Sequence, residues 1–358
     1  MGCHVHNQVR CQIFDPVGRR LLRFIHQWKL LHAQELVERG MQGEWKSSES
    51  PKILRALKRN AQQIYSTEQF NLMQQDENKE LEQGIIKEEH EKEVAFPNSC
   101  FHRSKKNQKE LRKILDCAVI DQLQQDISFK MEDLYTIKQL LQQGDYAVTI
   151  DIQSAYSHTH VDQDLSPYLS FNFNNRCYSY VAIPFRIKSV PRTFTKMLRP
   201  VVAHIRISSG KILASATTID KSGSDNLIPE VQSSPCHQFT FLGWIFNAET
   251  IMIQFTEDRQ VELLKRLQLW KESINKAKLI RIKDLANMIG KQCFTRTQFG
   301  QASLHFRFLN SAKAKAQYRQ GRESKAVFNK GTLKELNWWT LKLSLNNPTS
   351  LIIRKPDT

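Results

Sequence analysis

Between Tyr146 and Tyr156 the chain reads Tyr-Ala-Val-Thr-Ile-Asp-Ile-Gln-Ser-Ala-Tyr, an apolar, β-branched run that delivers one carboxylate at its end. Strand residues alternate faces, so this pattern predicts Val148, Ile150 and Ile152 toward a core and Thr149, Asp151 and Gln153 on the other side. The stretch by itself allows two readings of Asp151, a solvated acid or a metal ligand.

The same kind of reading places the other elements. Leu21, Phe24, Ile25, Trp28 and Leu31 recur at spacings of three and four before Gly40, which predicts one amphipathic helix over Arg19 to Gly40 with a basic outer face. A polar segment follows to about Phe96; its run from Asp76 to Glu93 holds eight acids and three lysines and reads as a solvated helix or linker. The stretch Cys100 to Asp116 carries Arg103, Lys105, Lys106, Lys109, Arg112 and Lys113 ahead of Ile114 and Leu115, and a basic hairpin is expected there. Strand candidates Tyr168 to Phe173 and Cys177 to Ala182 flank Asn174-Asn175, a pair suited to a two-residue turn. Pro191 opens a helix lined by Phe194, Met197, Leu198, Val201, Val202 and Ile205. The interval from Ile207 to Gln238 is rich in Ser, Gly and Thr and reads mostly as loop. Phe239 to Phe246 and Ile251 to Phe255 are expected to pair as a second hairpin around Asn247. Beyond them Thr256 should cap a helix with Glu257 and Asp258 in its first turn, and further helices should cover Ile282 to Phe294 and Thr332 to Leu343.

Composition narrows the function. With 358 residues and 40% hydrophobic content the chain can bury a core in two or more subdomains. Lys and Arg number 52 against 36 Asp and Glu, a formal net charge of +16, so a polyanion is the expected partner. Nucleic acid is the first candidate and an anionic membrane surface the second. No apolar run approaches the ~20 residues that span a bilayer, and there is no signal-peptide core. Met1-Gly2 lacks the Ser or Thr that myristoylation wants, since His6 stands there. An intracellular protein, cytoplasmic or nuclear and not secreted, is therefore expected. Cys3, Cys11, Cys100, Cys117, Cys177, Cys236 and Cys293 form no C-x-x-C pair and read as reduced thiols. Cys3, His4, His6 and Cys11 have a metal-like composition, but their spacing fits no zinc template, and a frayed terminus is expected.

Five segments in order resemble a reverse transcriptase, in the flavour of DIRS-like, tyrosine-recombinase retroelements. Val17-Gly-Arg-Arg-Leu-Leu-Arg-Phe24 resembles the segment that precedes the polymerase in those elements. Lys105-Lys106 through Arg112-Lys-Ile-Leu-Asp116, continued by Phe129-Lys-Met-Glu132, resembles the fingers hairpin. Thr149 to Tyr156 resembles the first palm motif, and Ile183-Pro-Phe-Arg-Ile-Lys-Ser-Val-Pro-Arg-Thr-Phe194 resembles the next, usually L-P-F-G-L-x-x-x-P-x-x-F. Phe239-Thr-Phe-Leu-Gly-Trp244 resembles the primer-grip hairpin.

The resemblance implies an α+β fold with right-hand fingers and palm, an antiparallel sheet, and a helical thumb or connection. It implies a helical, charged region over 1–98, fingers and palm over 99–256, partly deleted around 207–238, and the thumb or connection over 257–358. Asp151 would ligate both catalytic metals, Mg²⁺ or Mn²⁺, with the backbone carbonyl of Ile152 serving one of them. Lys105 or Lys106 and Arg112 would meet the incoming triphosphate, Tyr156 would exclude a 2′-hydroxyl, and Phe185 would line the nucleotide pocket. Phe241, Leu242, Gly243 and Trp244 would hold the primer end. The implied partners are an RNA or DNA template-primer and a deoxynucleoside triphosphate.

Three departures mark the sequence. The Tyr-x-Asp-Asp tetrad of the family is missing, since the interval before the primer grip holds only Asp220, Asp225 and Glu230. Arg186 stands where the family pattern has glycine, and Ser154 replaces a common acid of the first palm motif. The resulting expectation is a reverse-transcriptase-like protein, ancestrally an RNA-directed DNA polymerase, with an incomplete palm and impaired catalysis. The alternative is a nucleic-acid-binding remnant that uses Lys105, Lys106, Arg112, Lys188, Arg192 and Lys196.

Overall fold

The computed structural model describes residues 16–58, 63–104, 111–148, 152–209, 235–276, 279–320, 325–326, 328 and 330–351. Two compact units divide the chain, one of Met1–Asp133 with Asp151–Glu230 and one of Leu134–Ile150 with Val231–Thr358.

In the first unit Asn174 and Asn175 take φ of 48° and 58°, as a two-residue turn of this kind requires, and join the antiparallel strands Ser170–Phe173 and Arg176–Tyr180. Ile86–Glu89 adds antiparallel to Arg176–Tyr180, and Pro97–Asn98 adds parallel to the other side, giving a four-stranded sheet. The expected basic hairpin is present as Cys100–Ser104 against Leu111–Leu115. The helix opened by Pro191 runs as Val190–Ser209 and buries Phe194 and Met197.

The charged run from Asp76 to Glu93 is not a linker. Ser66 and Gln69 close a reciprocal capping box at the start of helix Thr67–Glu82, Gly84 turns the chain at φ 65°, and Ile86–Glu89 then joins the sheet. The run looked solvated because its acids are many, yet the helix aims some of them inward. Met73, Glu77 and Glu80 lie four and three apart, on one face. Glu77 is buried and accepts from the Gln74 amide at 2.7 Å. Glu80 meets the Lys113 ammonium at 2.6 Å and accepts from the Tyr180 hydroxyl at 3.2 Å, while Asp76 meets the His102 ring at 2.7 Å. Lys113 also lies over the Phe171 ring, 4.3 Å from its centroid. Burial pushes the Lys113 ammonium down, but the Glu80 carboxylate, joined by Cys100 and Asp76, holds it above its ordinary value. Burial likewise pushes the neighbouring Cys100 thiol up to about 12.

Residues Arg19 to Gly40 form three short helices rather than one: Arg20–Arg23, Ile25–Leu30 and Gln34–Arg39. Phe24 (φ −106°, ψ 25°) and His32 (φ 53°) break the run. Trp28, Ala33 and Val37 nevertheless share one cluster with Met197, edged by Leu21, Leu36 and Val201. A straight helix from Leu21 to Val37 would span about 24 Å, and the two breaks fold the same apolar positions around a single contact.

The stretch around Asp151 also differs from its expected strand. Ala147 makes an isolated antiparallel bridge to Cys236, but Val148 is 50% and Ile152 37% exposed, so the inward alternation is not seen. Residues 149–151 lie outside the described residues, as do Cys3, His4, His6 and Cys11. The division between the two units falls between Ile150 and Asp151. A segment that leaves one core for another has no single sheet to alternate against.

In the second unit, Phe239 to Phe255 is a three-stranded meander instead of one hairpin. Gln238–Phe241, Trp244–Asn247 and Met252–Phe255 pair in order, and Thr349–Ser350 closes the sheet. The missed fold lies at Leu242 and Gly243, with φ of 51° and 75°. Helices Glu257–Asn275, Ile282–Cys293, Arg307–Gln320 and Lys330–Leu345 follow. Trp339 is fully buried, packs against Phe306 at 4.9 Å between ring centroids, and donates from its indole N–H to the His305 carbonyl at 2.9 Å. The buried Glu335 carboxylate accepts the first backbone N–H groups of helix Arg307–Gln320, from Phe308 at 2.8 Å and Leu309 at 3.0 Å.

The Glu80–Lys113 pair gives a direct test of the first unit. Lys113→Met leaves a carboxylate without its cation and is expected to lower stability by about 3–5 kcal/mol, whereas Lys113→Met with Glu80→Leu should recover most of the loss. Chemical denaturation of the two variants reads the difference. Because the Lys113 value is raised, its contribution is fully present below pH ~10.4 and is lost only as pH rises through the higher folded value.

Candidate nucleotide and nucleic-acid site

Alternation along the basic hairpin sorts its cations. His102 pairs across from Lys113, and these two side chains turn toward the acids of helix Thr67–Glu82. One residue away, Arg103 pairs across from Arg112 on the opposite face. The Arg112 guanidinium sits over the Phe185 ring, 4.7 Å from its centroid. Phe185 in turn stacks with Tyr156 at 6.2 Å and 27°, and Tyr156 meets Phe194 edge-on at 5.2 Å. Three residues proposed from separate stretches of sequence, Arg112, Tyr156 and Phe185, are thus brought together, with Phe194 as a floor.

Local structure explains their placement. Tyr156 is buried on the 3₁₀ helix Ala155–His158, which starts after Ser154 at φ 48°. The Arg19 N–H donates to the Ser157 carbonyl at 3.0 Å, so the opening segment Val17–Phe24 braces this turn. Gly18, one residue before, lies against the Gly84 turn instead, where a Cβ would come within 2.1 Å of the Gly84 carbonyl oxygen. Phe185 stands on a turn whose flanks, Ile183 and Ile187, are buried, and it rests partly buried on the core of the unit.

Lys105, Lys106 and Asp151 lie outside the described residues, as do Asp220, Asp225 and Glu230. Ile152, proposed for its carbonyl, is 37% exposed. Several cations of helix Val190–Ser209 and the turn before it are engaged by acids. Lys188 meets Asp126 at 2.8 Å and the Gln124 carbonyl at 2.7 Å, Arg192 pairs with Glu44, and Lys196 lies 3.9 Å from Glu44.

The residues expected to form a primer grip, Phe241 to Trp244, belong to the second unit and span the turn of its first hairpin. The Arg259 guanidinium donates to the Leu242 carbonyl at 2.6 Å, and the Thr256 N–H donates to the Gly243 carbonyl at 3.3 Å, which pins the tip. Phe241, Leu242 and Gly243 are half-buried. Trp244 is fully buried and stacks on Phe255 at 4.2 Å, so its ring serves the core.

Three solved structures of the foamy viral protease-reverse transcriptase resemble the chain. The complex with RNA/DNA hybrid superimposes with a TM-score of 0.56 at 16% identity over 85% of this chain and 40% of that one. The complex with dsDNA gives 0.58 at 16% over 83% and 61%, and the dRH form with ds DNA gives 0.58 at 17% over 90% and 56%. The fold is that of a reverse transcriptase. The chain spans less than two thirds of the length of each of these proteins. No protein-family model matches it, and no curated protein does.

Within this reverse-transcriptase-like fold, Arg186 occupies the position where the family pattern has glycine, and its backbone shows why glycine suits it. Its φ is +84°, in the turn that presents Phe185. A side chain in that region carries a steric cost that glycine does not. Arg186 is exposed, and among the described residues it makes no ion pair.

Sequence reading did not single out Arg103 or Phe194 as site residues. Arg103 was visible as part of a basic run, but its register opposite Arg112 emerges only from strand pairing. Two like charges directly across a strand pair repel, and an anion between them removes that cost.

Arg186→Gly is expected to raise stability by about 1 kcal/mol, and Arg186→Val to lower it, because a β-branched residue tolerates positive φ least. Denaturant midpoints measured on the three proteins check the ordering.

Proposed function

We propose that the chain is a retroelement-derived, reverse-transcriptase-like protein that keeps nucleotide and nucleic-acid contacts of that fold but has lost polymerase activity. The observation that carries the reading is the Arg112, Phe185 and Tyr156 stack, built by a hairpin, a turn and a 3₁₀ helix on a reverse-transcriptase-like fold. A guanidinium held over an aromatic ring, with a second arginine opposite it in register, suits the phosphates of a nucleotide or a nucleic-acid strand. The solved foamy viral proteins are complexes with RNA/DNA hybrid and dsDNA, and the same class of partner is proposed here.

Loss of catalysis rests on the donor set. Two divalent ions that clamp the attacking and leaving oxygens need several carboxylates at fixed places. The sequence has no adjacent Asp pair, which leaves Asp151 as a lone ligand, a set too small for two Mg²⁺ or Mn²⁺ ions. Where such a metal is bound, it supplies charge neutralisation at the transferring phosphoryl group. The alternative of a basic groove that includes Lys188, Arg192 and Lys196 has less free charge to offer, because Asp126 pairs with Lys188 and Glu44 with Arg192, with Lys196 at the edge of Glu44's reach.

Primer extension with Mg²⁺ or Mn²⁺ is expected to give no product; template-dependent synthesis abolished by Asp151→Ala would overturn the loss of activity. An in-frame Tyr-x-Asp-Asp in genomic DNA around codons 207–238 would do the same. For binding, the affinity for an RNA–DNA hybrid should fall linearly with salt on a log-log plot, and Arg112→Ala should flatten the slope by about 1. An unchanged slope would remove Arg112 from the interface.

A further inference from the structure

We propose that the outer face of helix Arg307–Gln320, in the second unit, is a separate binding surface for single-stranded nucleic acid. The helix carries Arg307, Lys313, Lys315 and Arg319 and no acid. Helix Glu257–Asn275 of the same unit shows the ordinary arrangement for comparison. There Arg259, Lys265, Arg266 and Lys271 are matched by Glu257, Asp258, Glu262 and Glu272, and Arg266 pairs with Glu262 at 2.7 Å.

Arg307 and Lys315 share one side, while the half-exposed Lys313 lies nearer the buried face. Leu309 and Ala316 are buried and mark the inner face. Arg307, Ser311, Lys315 and Tyr318 follow at spacings of four, four and three, which places them on a common face roughly opposite, and all four are exposed. Phe308 borders this face at 41% exposure, and the Tyr318 ring is 94% exposed. Arg307, Lys313 and Lys315 make no ion pair among the described residues. The acid nearest the start of the helix, Glu335, is buried and committed to the N–H groups of Phe308 and Leu309. It caps the helix without neutralising its outer side.

Unopposed cations beside an exposed aromatic ring match the two needs of a single strand, which has charged phosphates and unstacked bases with free π-faces. A duplex offers the phosphates but keeps its bases stacked, so Tyr318 would have nothing to cover. Arg307 and Lys315 are about 12 Å apart along the helix, a span of a few nucleotides. An anionic bilayer is the poorer match, because it needs a broad apolar face and this helix turns its aliphatic side into the core.

The test uses the full chain and fluorescence anisotropy with a labelled single strand of about 16 nucleotides, a blunt RNA–DNA hybrid, and vesicles containing phosphatidylserine. Tyr318→Ala is expected to weaken single-strand binding about tenfold while changing hybrid binding less than twofold. Arg307→Glu with Lys315→Glu should lower the log-log salt slope for the single strand by about 2. These positions are solvent-exposed, so the variants should fold, and an unchanged melting temperature confirms it. Equal affinities of wild type and Tyr318→Ala for the single strand would overturn the proposal, as would a loss confined to vesicle binding. The surface assumes that nucleic acid is the partner, yet it fails independently of the Arg112 pocket. If Arg112→Ala leaves hybrid binding intact while Tyr318→Ala loses the single strand, the pocket reading fails and this one stands.

Discussion

The first unit depends on the buried contact between Glu80 and Lys113. It ties together three parts of the chain that have little else in common, namely the acidic helix Thr67–Glu82, the basic hairpin, and strand Arg176–Tyr180 through the Tyr180 hydroxyl. A buried charge pair contributes little net stability when complete and costs much when half of it is removed. Its main effect is therefore on specificity, because it admits one register of the hairpin and penalises others. Asp76 and His102 repeat the same arrangement one helical turn away.

That register decides which cation faces the pocket. Successive residues of a strand point to opposite faces, so a slip by one would send Arg112 into the core and bring Lys113 out. Arg112 carries the planar guanidinium that can lie over Phe185 and hold a phosphate bidentately, and a lysine does neither as well. The structural pair and the candidate site are thus two sides of one hairpin. Arg186 follows Phe185 directly, at a φ of +84°.

Much of this architecture was legible wherever sequence and local geometry agree. Asn174-Asn175 and the spacing from Phe194 to Val202 each carry their own structural signal, whereas Thr256 holds the N-cap position of helix Glu257–Asn275 without the expected side-chain cap, its hydroxyl donating to the Gly243 carbonyl. The misreadings came where context decided. Ile86–Glu89 has the composition of a solvated segment and becomes a strand only because Arg176–Tyr180 offers an edge. Glu77, Glu80 and Glu335 sit among charged or polar neighbours and give no hint that their partners will be buried hydroxyls, an ammonium or helix N–H groups. His32 ends a helix at positive φ without a Gly or Pro to announce it. Helix Arg307–Gln320 went unnoticed because it buries mainly Leu309 and Ala316, too thin a stripe to show as periodicity. The site was legible as a set of segments in order, while Arg103 and Phe194 joined it only through pairing and packing.

The bridge between Ala147 and Cys236 reaches further than its size. Two backbone hydrogen bonds, at 2.8 and 3.1 Å, fix where the chain re-enters the second unit, just ahead of the strand that leads to Leu242 and Gly243. Backbone pairing of this kind is indifferent to side-chain identity. Upstream codons can accordingly drift, shorten or lengthen while the downstream strands keep their register, since extra loop length adds only about 0.6 kcal/mol per doubling. The register of strand Gln238–Phe241 is thereby set at its own start rather than by the segment that precedes it.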